Sequence, residues 1–364
     1  MTDTLFTPTK LGDIEIANRV VMAPLTRNRA PETIPTDTMV EYYRQRASMG
    51  LIISEGTQVS RLGQGYAWTP GIWTEAQGAG WRKITDAVHA EGGKIVAQLW
   101  HVGRISHPSL LDGALPIAPS AIDCGAKTFD GTGFVNVPTP RALALDEIPG
   151  VVDEFRKAAR IAMDAGFDGV EIHGANGYLI DQFLRDTSNK RTDAYGGSIE
   201  NRIRFAREIV EAVTQEVGAG RVGIRISPFS NANNVGLDSD TEALFGSLIE
   251  VLNGFDLAYV HGIEGQTGGE RDHMEGMGRL IKQIRAPYIA NNGYDGDLAE
   301  SAVEGEGATG SAGAVAAVAF GRMAIANPDL VARLKADGPF NDLNADRLYG
   351  GGADGYTDYP FLTA

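Results

Sequence analysis

Three side chains that can donate hydrogen bonds cluster in the stretch GVEIHGANGYLIDQF, residues 169–183. His173, Asn176 and Tyr178 lie within six residues, and Gly174 and Gly177 stand between them. The apolar run before them is typical of a buried strand. An imidazole, an amide and a phenol placed where such a strand ends can hold a polar atom of a ligand. This stretch is therefore the first candidate for a functional site.

The chain as a whole alternates short apolar runs with longer amphipathic stretches. Apolar runs predict eight strands over residues 20–25, 51–56, 94–100, 167–173, 221–227, 256–262, 287–293 and 314–322. Helices are predicted over residues 36–50, 75–93, 145–166, 198–218, 240–254, 273–285, 297–307 and 327–338. Strands that alternate with helices predict a parallel sheet.

Eight such units favour an α/β fold of the (β/α)8 TIM barrel type, as a single domain over residues 1–364. A long excursion, residues 101–145, rich in Pro, Gly and Ser, follows strand three. The alternative is an open doubly wound sheet. That fold calls for a glycine-rich phosphate turn after the first strand, and MAPLTRNRAP does not provide one.

A barrel carries its working residues at the carboxyl ends of the strands. The set found there has neither the paired carboxylates of a glycosidase nor the ligand spacing of a metal site. It is rich in neutral hydrogen-bonding groups and suits a large planar cofactor with polar edges and a phosphate tail. Its members are Pro24, Leu25, Thr26, Arg27, Glu55, Gly56, Gln98, Trp100, His101, Glu171, His173, Asn176, Tyr178, Arg225, His261, Asn291, Asn292, Gly293, Gly321 and Arg322. We interpret Glu171 as structural and assign no catalytic role to His101 or His261.

Composition excludes several classes of protein. The net charge is −15 and no basic cluster occurs, which argues against nucleic acid and anionic membranes as partners. The only cysteine is Cys124, so neither an internal disulfide nor a cysteine-ligated metal centre can form. There is no signal-peptide pattern and no long apolar run. We expect a cytoplasmic protein, a monomer or weak homo-oligomer, that acts on small molecules.

Five motifs in order resemble the old yellow enzyme family of FMN-dependent ene-reductases. They are NRVVMAPLTRNR, QLWHVGRISH, FDGVEIHGANGYLIDQFLRDTSNKRTDAYGGSIENR, AFGR followed by IANPDL, and GYTDYP. The similarity runs from about residue 5 to residue 362 and is nearest to the bacterial nitrate-ester and N-ethylmaleimide reductases. The resemblance implies bound, non-covalent FMN, with NADH or NADPH as hydride donor and electrophilic small molecules as substrates.

The resemblance also implies roles for individual residues. His173 and Asn176 would bind a carbonyl or nitro oxygen of the substrate, and Tyr178 would donate the proton. The substrate pocket would be shaped by Thr26, Tyr66, Trp100 and Tyr349. FMN would be bound by Pro24, Leu25, Thr26, Gly56, Gln98, Arg225, Asn291, Asn292, Gly293, Gly321 and Arg322.

The implied reaction is a two-stage hydride transfer. NAD(P)H reduces the flavin, and an activated alkene then takes hydride at its β-carbon and a proton from Tyr178 at its α-carbon, which gives ping-pong kinetics. Three alternatives remain open. They are a nitrate-ester or nitroaromatic reductase, a flavin- or ligand-binding protein without turnover, and a flavin-free barrel such as an aldolase.

Two segments depart from the family pattern. Residues 304–322 are longer than usual and rich in Gly, Ala and Ser, which predicts a flexible surface bulge before Gly321 and Arg322. Residues 265–285 are shorter than in the nitrate-ester relatives. In the family this loop lies over the active site, so the choice between NADH and NADPH is expected to depend on it.

Overall fold

In the computed structural model, which describes residues 4–305 and 315–362, eight parallel strands close into a barrel. Each strand pairs with the next along the chain, and the last pairs with the first. The predicted (β/α)8 TIM barrel is therefore confirmed. The strands are β1 (Val20–Met22), β2 (Leu51–Ile53), β3 (Ile95–Trp100), β4 (Gly169–Gly174), β5 (Val222–Ile226), β6 (Tyr259–Ile263), β7 (Tyr288–Asn291) and β8 (Ala317–Phe320).

Helices surround the barrel. A helix is present in each predicted stretch, although the first one ends at Arg44, six residues before the predicted end. Two short helices, one after β4 and one after β8, are not among the predicted helices. The helices are α1 (Asp37–Arg44), α2 (Glu75–Ala90), α3 (Ile148–Asp164), α4 (Leu179–Leu184), α5 (Ile199–Val217), α6 (Thr241–Leu252), α7 (Met274–Ile281), α8 (Gly296–Val303), α9 (Arg322–Ala326) and α10 (Leu330–Lys335).

The core has an inner and an outer layer because side chains alternate along each strand. In β1, Val21 belongs to the cluster inside the barrel, whereas Val20 and Met22 pack against the helices. An antiparallel hairpin of Thr9–Leu11 and Ile14–Ile16 adds its apolar side chains to the inner cluster. Apolar packing thus fills the lower barrel, and the polar strand ends are left at the opposite, carboxyl-terminal rim.

The predicted excursion after β3 is present and has elements of its own. It contains a hairpin of Lys127–Phe129 and Phe134–Asn136, and a parallel pair of Ile117–Ala118 with Arg141–Ala142. Residues 306–314, nine of the nineteen residues in the stretch 304–322 that was predicted as a bulge, lie outside the described residues. Across the described ranges, the helices are all too short or too polar to span a bilayer.

Candidate active site

A sharp turn at the end of β4 positions His173, Asn176 and Tyr178. Asn176 and Gly177 both adopt left-handed backbone conformations, with φ of 61° and 71°. A Cβ on Gly177 would lie 2.5 Å from the carbonyl oxygen of Ala232, so this position requires glycine. The buried Asp181 accepts the N–H of Gly177 at 2.9 Å and pairs with Arg185. The turn therefore leads directly into α4, with Tyr178 at its N-cap.

Four rings from three segments form an aromatic cluster at this rim. The indole of Trp100, at the end of β3, is nearly parallel to the rings of Tyr66 at 5.7 Å and His173 at 6.2 Å, measured between ring centroids. The ring of Tyr178 meets Trp100 and His173 edge-on, at 5.0 Å and 5.1 Å. Gly56 lies against the same indole, and a Cβ there would be 2.5 Å from it. The packing holds the imidazole and the phenol in fixed orientations.

His173 is buried and presents a neutral imidazole. Burial lowers its pKa well below the usual value, and the positive charge of Arg225 lowers it further. The backbone N–H of Ala175 donates to Nδ1 at 3.3 Å. Since Nδ1 accepts, the proton of the neutral ring lies on Nε2, which is then a hydrogen-bond donor.

Tyr178 keeps its proton to high pH. Burial raises the pKa of its phenol, while hydrogen bonds from Tyr66 and Asn233 lower it in part. The hydroxyl groups of Tyr66 and Tyr178 lie 3.1 Å apart. The phenol is therefore protonated at neutral pH and has a second hydroxyl as its immediate neighbour.

Asn176 is fixed from two directions. Its backbone N–H donates to the Ser227 hydroxyl at 2.8 Å, and its carbonyl accepts from the Asn233 amide at 2.8 Å. Its side-chain Oδ1 accepts from the Thr267 hydroxyl at 2.7 Å, and Ser230 lies 2.7 Å from that same hydroxyl. Because Oδ1 is occupied, Nδ2 of Asn176 remains as a donor.

Beside this cluster, a cavity of about 450 Å³ opens along the ends of β1, β7 and β8. Asn176 lines this cavity, and its neighbours in the chain, His173 and Tyr178, belong to the aromatic cluster, so the cavity and the cluster are adjacent. The cavity contains many of the residues that the sequence predicts to bind the cofactor, namely Pro24, Leu25, Arg225, Asn291, Asn292, Gly293, Gly321 and Arg322.

Arg225, which lines the cavity, and Gln98 are buried polar residues near the carboxyl ends of β5 and β3. Arg225 donates from Nη2 to Oδ1 of Asn291 at 2.7 Å, and its buried Nε has no partner among the described residues. Burial lowers the pKa of Arg225 to about 10, so the guanidinium stays charged at neutral pH. Gln98 is also buried and donates from Nε2 to Glu171 at 2.7 Å.

The asparagines of the predicted phosphate loop use their side chains within the protein. Asn291 donates to the carbonyl of Ala319 at 2.8 Å, and Asn292 donates to the carbonyl of Glu264 at 2.8 Å. Their amides thus tie β7 to its neighbours. Arg322, exposed at the start of α9, is the charged side chain that lines this end of the cavity.

Thr26 and Tyr349, both predicted for the substrate pocket, are not among the residues that line the cavity. Thr26 is half-buried, and Tyr349 is 66% exposed. The loop that carries Tyr349 is held beside Thr26, because Gly350 donates its N–H to the carbonyl of Arg27 at 2.9 Å. The guanidinium of Arg27 donates to the carbonyl of Leu348 at 2.8 Å. Tyr349 is close enough to contribute to the raised pKa of Tyr178.

Several contacts at the site involve residues to which the sequence analysis gave no role there. Thr267 and Ser230 fix the amide of Asn176, Arg27 holds the Tyr349 loop, and His261 pairs with Glu171 at 2.9 Å. None of these four residues, Thr267, Ser230, Arg27 and His261, lies within residues 169–183, the motif that indicates the site. The polarity of Glu171 and His261 within apolar strands is the signal that could have found that pair. The described residues contain no group of three or more His, Cys, Asp or Glu placed to hold a metal ion.

Comparison with known proteins decides the family. Residues 4–341 match the model of the NADH:flavin oxidoreductase / NADH oxidase family. The chain belongs to this family. It is 45% identical to putative 12-oxophytodienoate reductase 11 of Oryza sativa subsp. japonica, over 99% of this chain and 98% of that protein. Flavin oxidoreductase hxnT of Emericella nidulans is 43% identical over 99% of this chain and 98% of its own length.

Solved structures place the chain among the old yellow enzymes. Morphinone reductase in complex with tetrahydroNAD superposes with a TM-score of 0.92 at 46% identity, covering 99% of this chain and 98% of that chain. The old yellow enzyme homologue from Zymomonas mobilis also gives a TM-score of 0.92, at 40% identity, covering 99% of this chain and all of the other. The protein is therefore an NAD(P)H-dependent flavin oxidoreductase of the old yellow enzyme family, with FMN as its cofactor.

The residues at the barrel rim fit FMN. The cavity of about 450 Å³ is bounded by the apolar Pro24 and Leu25 and by the charged Arg225. A charged Arg322 lines the same cavity beside Gly321. Apolar walls suit a flat ring system, buried donors suit its polar edge, and an arginine beside a helix start suits a phosphate.

Proposed function

We propose that this enzyme reduces carbon–carbon double bonds conjugated to an electron-withdrawing group, such as those of enones, maleimides and nitroalkenes. The observation that carries the proposal is the pairing of a buried, neutral His173 with the protonated phenol of Tyr178, 5.1 Å away between ring centroids. One group can bind an oxygen that gains negative charge, and the other holds a proton for the adjacent carbon.

His173 and Asn176 are the proposed binding groups for the substrate's oxygen. The Nε2–H of His173 and the Nδ2–H of Asn176 are the free donors that remain after Ala175 and Thr267 occupy the acceptor atoms. Neutral donors bind a carbonyl or nitro oxygen and strengthen their hydrogen bonds as that oxygen becomes negative. The same two donors can bind the carboxamide of a nicotinamide, which would let NAD(P)H and substrate use one site in turn.

Tyr178 is the proposed proton donor to the α-carbon. A phenol with a raised pKa does not ionise at neutral pH, yet it is far more acidic than a carbon acid, so it can protonate carbon once negative charge develops there. Trp100 packs against both His173 and Tyr178 and so holds the two groups in a fixed relative orientation. Bound FMN supplies the chemistry of accepting hydride from NAD(P)H and passing it to the β-carbon.

The proposed cofactor contacts combine residues that line the cavity with Thr26, Gly56 and Gln98, which the family resemblance adds. Gln98 and Arg225 meet the pyrimidine edge of the flavin, and Arg322 binds the phosphate with the backbone of residues 291–293 and Gly321. Pro24, Leu25, Thr26 and Gly56 line the ring, and Thr26 adjusts its potential. Tyr66, Trp100, Thr26 and Tyr349 shape the substrate pocket. One FMN-binding domain, residues 1–364, carries the reaction, in the cytoplasm and as a monomer or weak homo-oligomer.

The names of relatives support this substrate class. Two of them are named for reducing 12-oxophytodienoate and morphinone, and both names denote ketones. The test is a steady-state comparison of 2-cyclohexenone with glycerol trinitrate, using FMN-loaded enzyme and NADH or NADPH. We expect parallel double-reciprocal plots and the higher kcat/KM with the enone. A kcat/KM that is far higher with the nitrate ester would instead identify a nitrate-ester reductase.

A further inference from the structure

A fully buried carboxylate, Glu171, lies beside Gln98, one of the two residues predicted to bind the pyrimidine edge of FMN. In the strand register Glu171 of β4 is paired with Gln98 of β3, and His173, two residues farther along β4, is paired with Arg225 of β5. Residues two apart on a strand face the same side, so Glu171 lies one layer below His173 inside the barrel. The side chain of Glu171 has no exposed surface.

Both oxygens of Glu171 are occupied. Oε1 accepts from Nε2 of Gln98 at 2.7 Å, and Oε2 lies 2.9 Å from Nδ1 of His261. Burial raises the pKa of this carboxyl, but His261, Arg225 and Gln98 outweigh burial and hold the pKa below its usual range. Burial lowers the pKa of His261, so a neutral imidazole donates its Nδ1–H to the carboxylate. The carboxylate therefore balances the charge of Arg225.

An ionised carboxylate can only accept hydrogen bonds, and this property fixes the amide of Gln98. The nitrogen of the amide must face Glu171, so Oε1 points away from it. The pyrimidine edge of a flavin has one N–H donor between two carbonyl acceptors. A fixed amide can meet such an edge with Oε1 and its second N–H, whereas an amide free to rotate would present the wrong atom part of the time.

We propose that Glu171 is a positioning residue for FMN, which orients the amide of Gln98 and offsets the charge of Arg225 beneath the flavin. This proposal rests on the proposed contacts of Gln98 and Arg225 with FMN. It does not depend on which substrate is reduced. The carboxylate thereby influences two measurable properties, the affinity for FMN and its reduction potential.

The two properties respond to Glu171→Gln for different reasons. Glutamine has nearly the shape of glutamate but can donate or accept, so it no longer selects one orientation of the Gln98 amide. It also removes a negative charge near Arg225, which leaves more positive potential where the reduced flavin carries negative charge. We expect FMN to dissociate at least tenfold more readily and the midpoint potential to become more positive.

The experiment compares holoenzymes by FMN release on dilution, followed by fluorescence, and by dye-equilibrated reductive titration. Glu171→Gln, Gln98→Leu and the double variant form a cycle. We expect Gln98→Leu to weaken FMN binding. Adding Glu171→Gln to that variant should weaken FMN binding by no more than about threefold further, because Glu171 acts through Gln98. Independent, multiplying losses would overturn the proposal, as would a Glu171→Gln holoenzyme with wild-type affinity and potential.

A second variant covers the case in which Glu171→Gln does not fold. His261→Asn breaks the other contact of the carboxylate but keeps Gln98 and a nearby N–H donor. It should hold FMN with an affinity within about threefold of the wild type, as expected when no direct contact is lost. A loss of FMN affinity as large as that caused by Gln98→Leu would overturn the proposal. FMN binding would then depend on the whole network of Gln98, Glu171 and His261 and not on the contact between Glu171 and Gln98. Absence of FMN from the wild-type enzyme would instead contradict the cofactor assignment.

Discussion

The hydroxyl of Tyr66, from the segment after β2, lies 3.1 Å from the hydroxyl of Tyr178, at the start of α4. Both rings also pack on Trp100, one stacked and one edge-on. The proposed proton donor is thus held by a hydrogen bond as well as by packing. Since the bond to Tyr66 lowers the pKa of Tyr178, the neighbour makes the donor a stronger acid than burial alone allows.

Tyr66→Phe should therefore slow proton transfer without abolishing it. Loss of one neutral hydrogen bond corresponds to a reduction of about two- to tenfold in the rate of alkene reduction. Reduction of the enzyme by NAD(P)H needs no proton from Tyr178 and should be unchanged. Stopped-flow measurement of the two half-reactions checks this. An equal loss in both would show that Tyr66 acts on binding in general.

His173→Ala should weaken the binding of phenols to the oxidised enzyme. A phenolate can bind through its oxygen to the Nε2–H of His173, and a hydrogen bond to a charged group corresponds to about a 10- to 100-fold change in Kd. The long-wavelength charge-transfer band of the phenol complex should weaken in parallel. Titration of p-chlorophenol followed by absorbance measures both. An unchanged band and Kd would rule out His173 as the ligand of the oxygen.

Thr267→Val tests how Asn176 is oriented. Valine has the shape of threonine but cannot donate to Oδ1 of Asn176, so the amide can rotate and its Nδ2–H is no longer directed to the ligand. We expect KM for the enone and Kd for phenols to rise about two- to tenfold, with little change in kcat. Thr267→Ser keeps the hydroxyl and should behave as the wild type. Equal effects of the two substitutions would point to loop packing instead.

Glu55 gives the protein a pH-dependent stability. It is buried at the end of β2, and burial raises its pKa to about 7, although the N–H of Arg27 and the hydroxyl of Tyr43 oppose the shift. Because the pKa of Glu55 is higher in the folded protein than the unfolded value of about 4.5, its protonated form contributes stability to the fold. This contribution is complete below about pH 4.5 and is lost as pH rises through about 7.

Glu55→Gln removes this dependence. Relative to the wild type, the variant should gain up to about 3 kcal/mol in free energy of unfolding between pH 5 and pH 9, the amount equivalent to the pKa shift. Urea unfolding of the holoenzyme at both pH values measures it. A difference between the two proteins that stays constant with pH would show that Glu55 does not ionise in this range.

The barrel could be predicted from the sequence because each of its units carries a local signal. Apolar runs such as residues 94–100 predict strands, and the Gly-Gly that follows α2 marks a helix end. The helix α4 was missed because it has six residues and follows β4 after one turn, which leaves no room for an amphipathic pattern. The predicted strand over residues 20–25 was also too long, since β1 ends at Met22 while the apolar run continues.

Much of the candidate site was also predictable, because His173, Asn176 and Tyr178 share one motif. The groups that support them could not be found in this way. Thr267 and Asn176 are 91 positions apart, and His261 and Glu171 are 90 positions apart. Only closure of the barrel brings such residues together, and no local pattern records which buried polar side chain meets which.

The most direct test of the account is a single-turnover experiment with Tyr178→Phe. Wild-type and variant enzymes are reduced anaerobically with one equivalent of NAD(P)H and mixed with 2-cyclohexenone or with a quinone, and the return of flavin absorbance is followed. We predict that the variant is reduced at the wild-type rate and reoxidised normally by the quinone. With the enone it should be slower by about a hundredfold or more. Equal rates of the two enzymes with the enone, or an equal loss with both oxidants, would contradict the assignment of Tyr178 as proton donor.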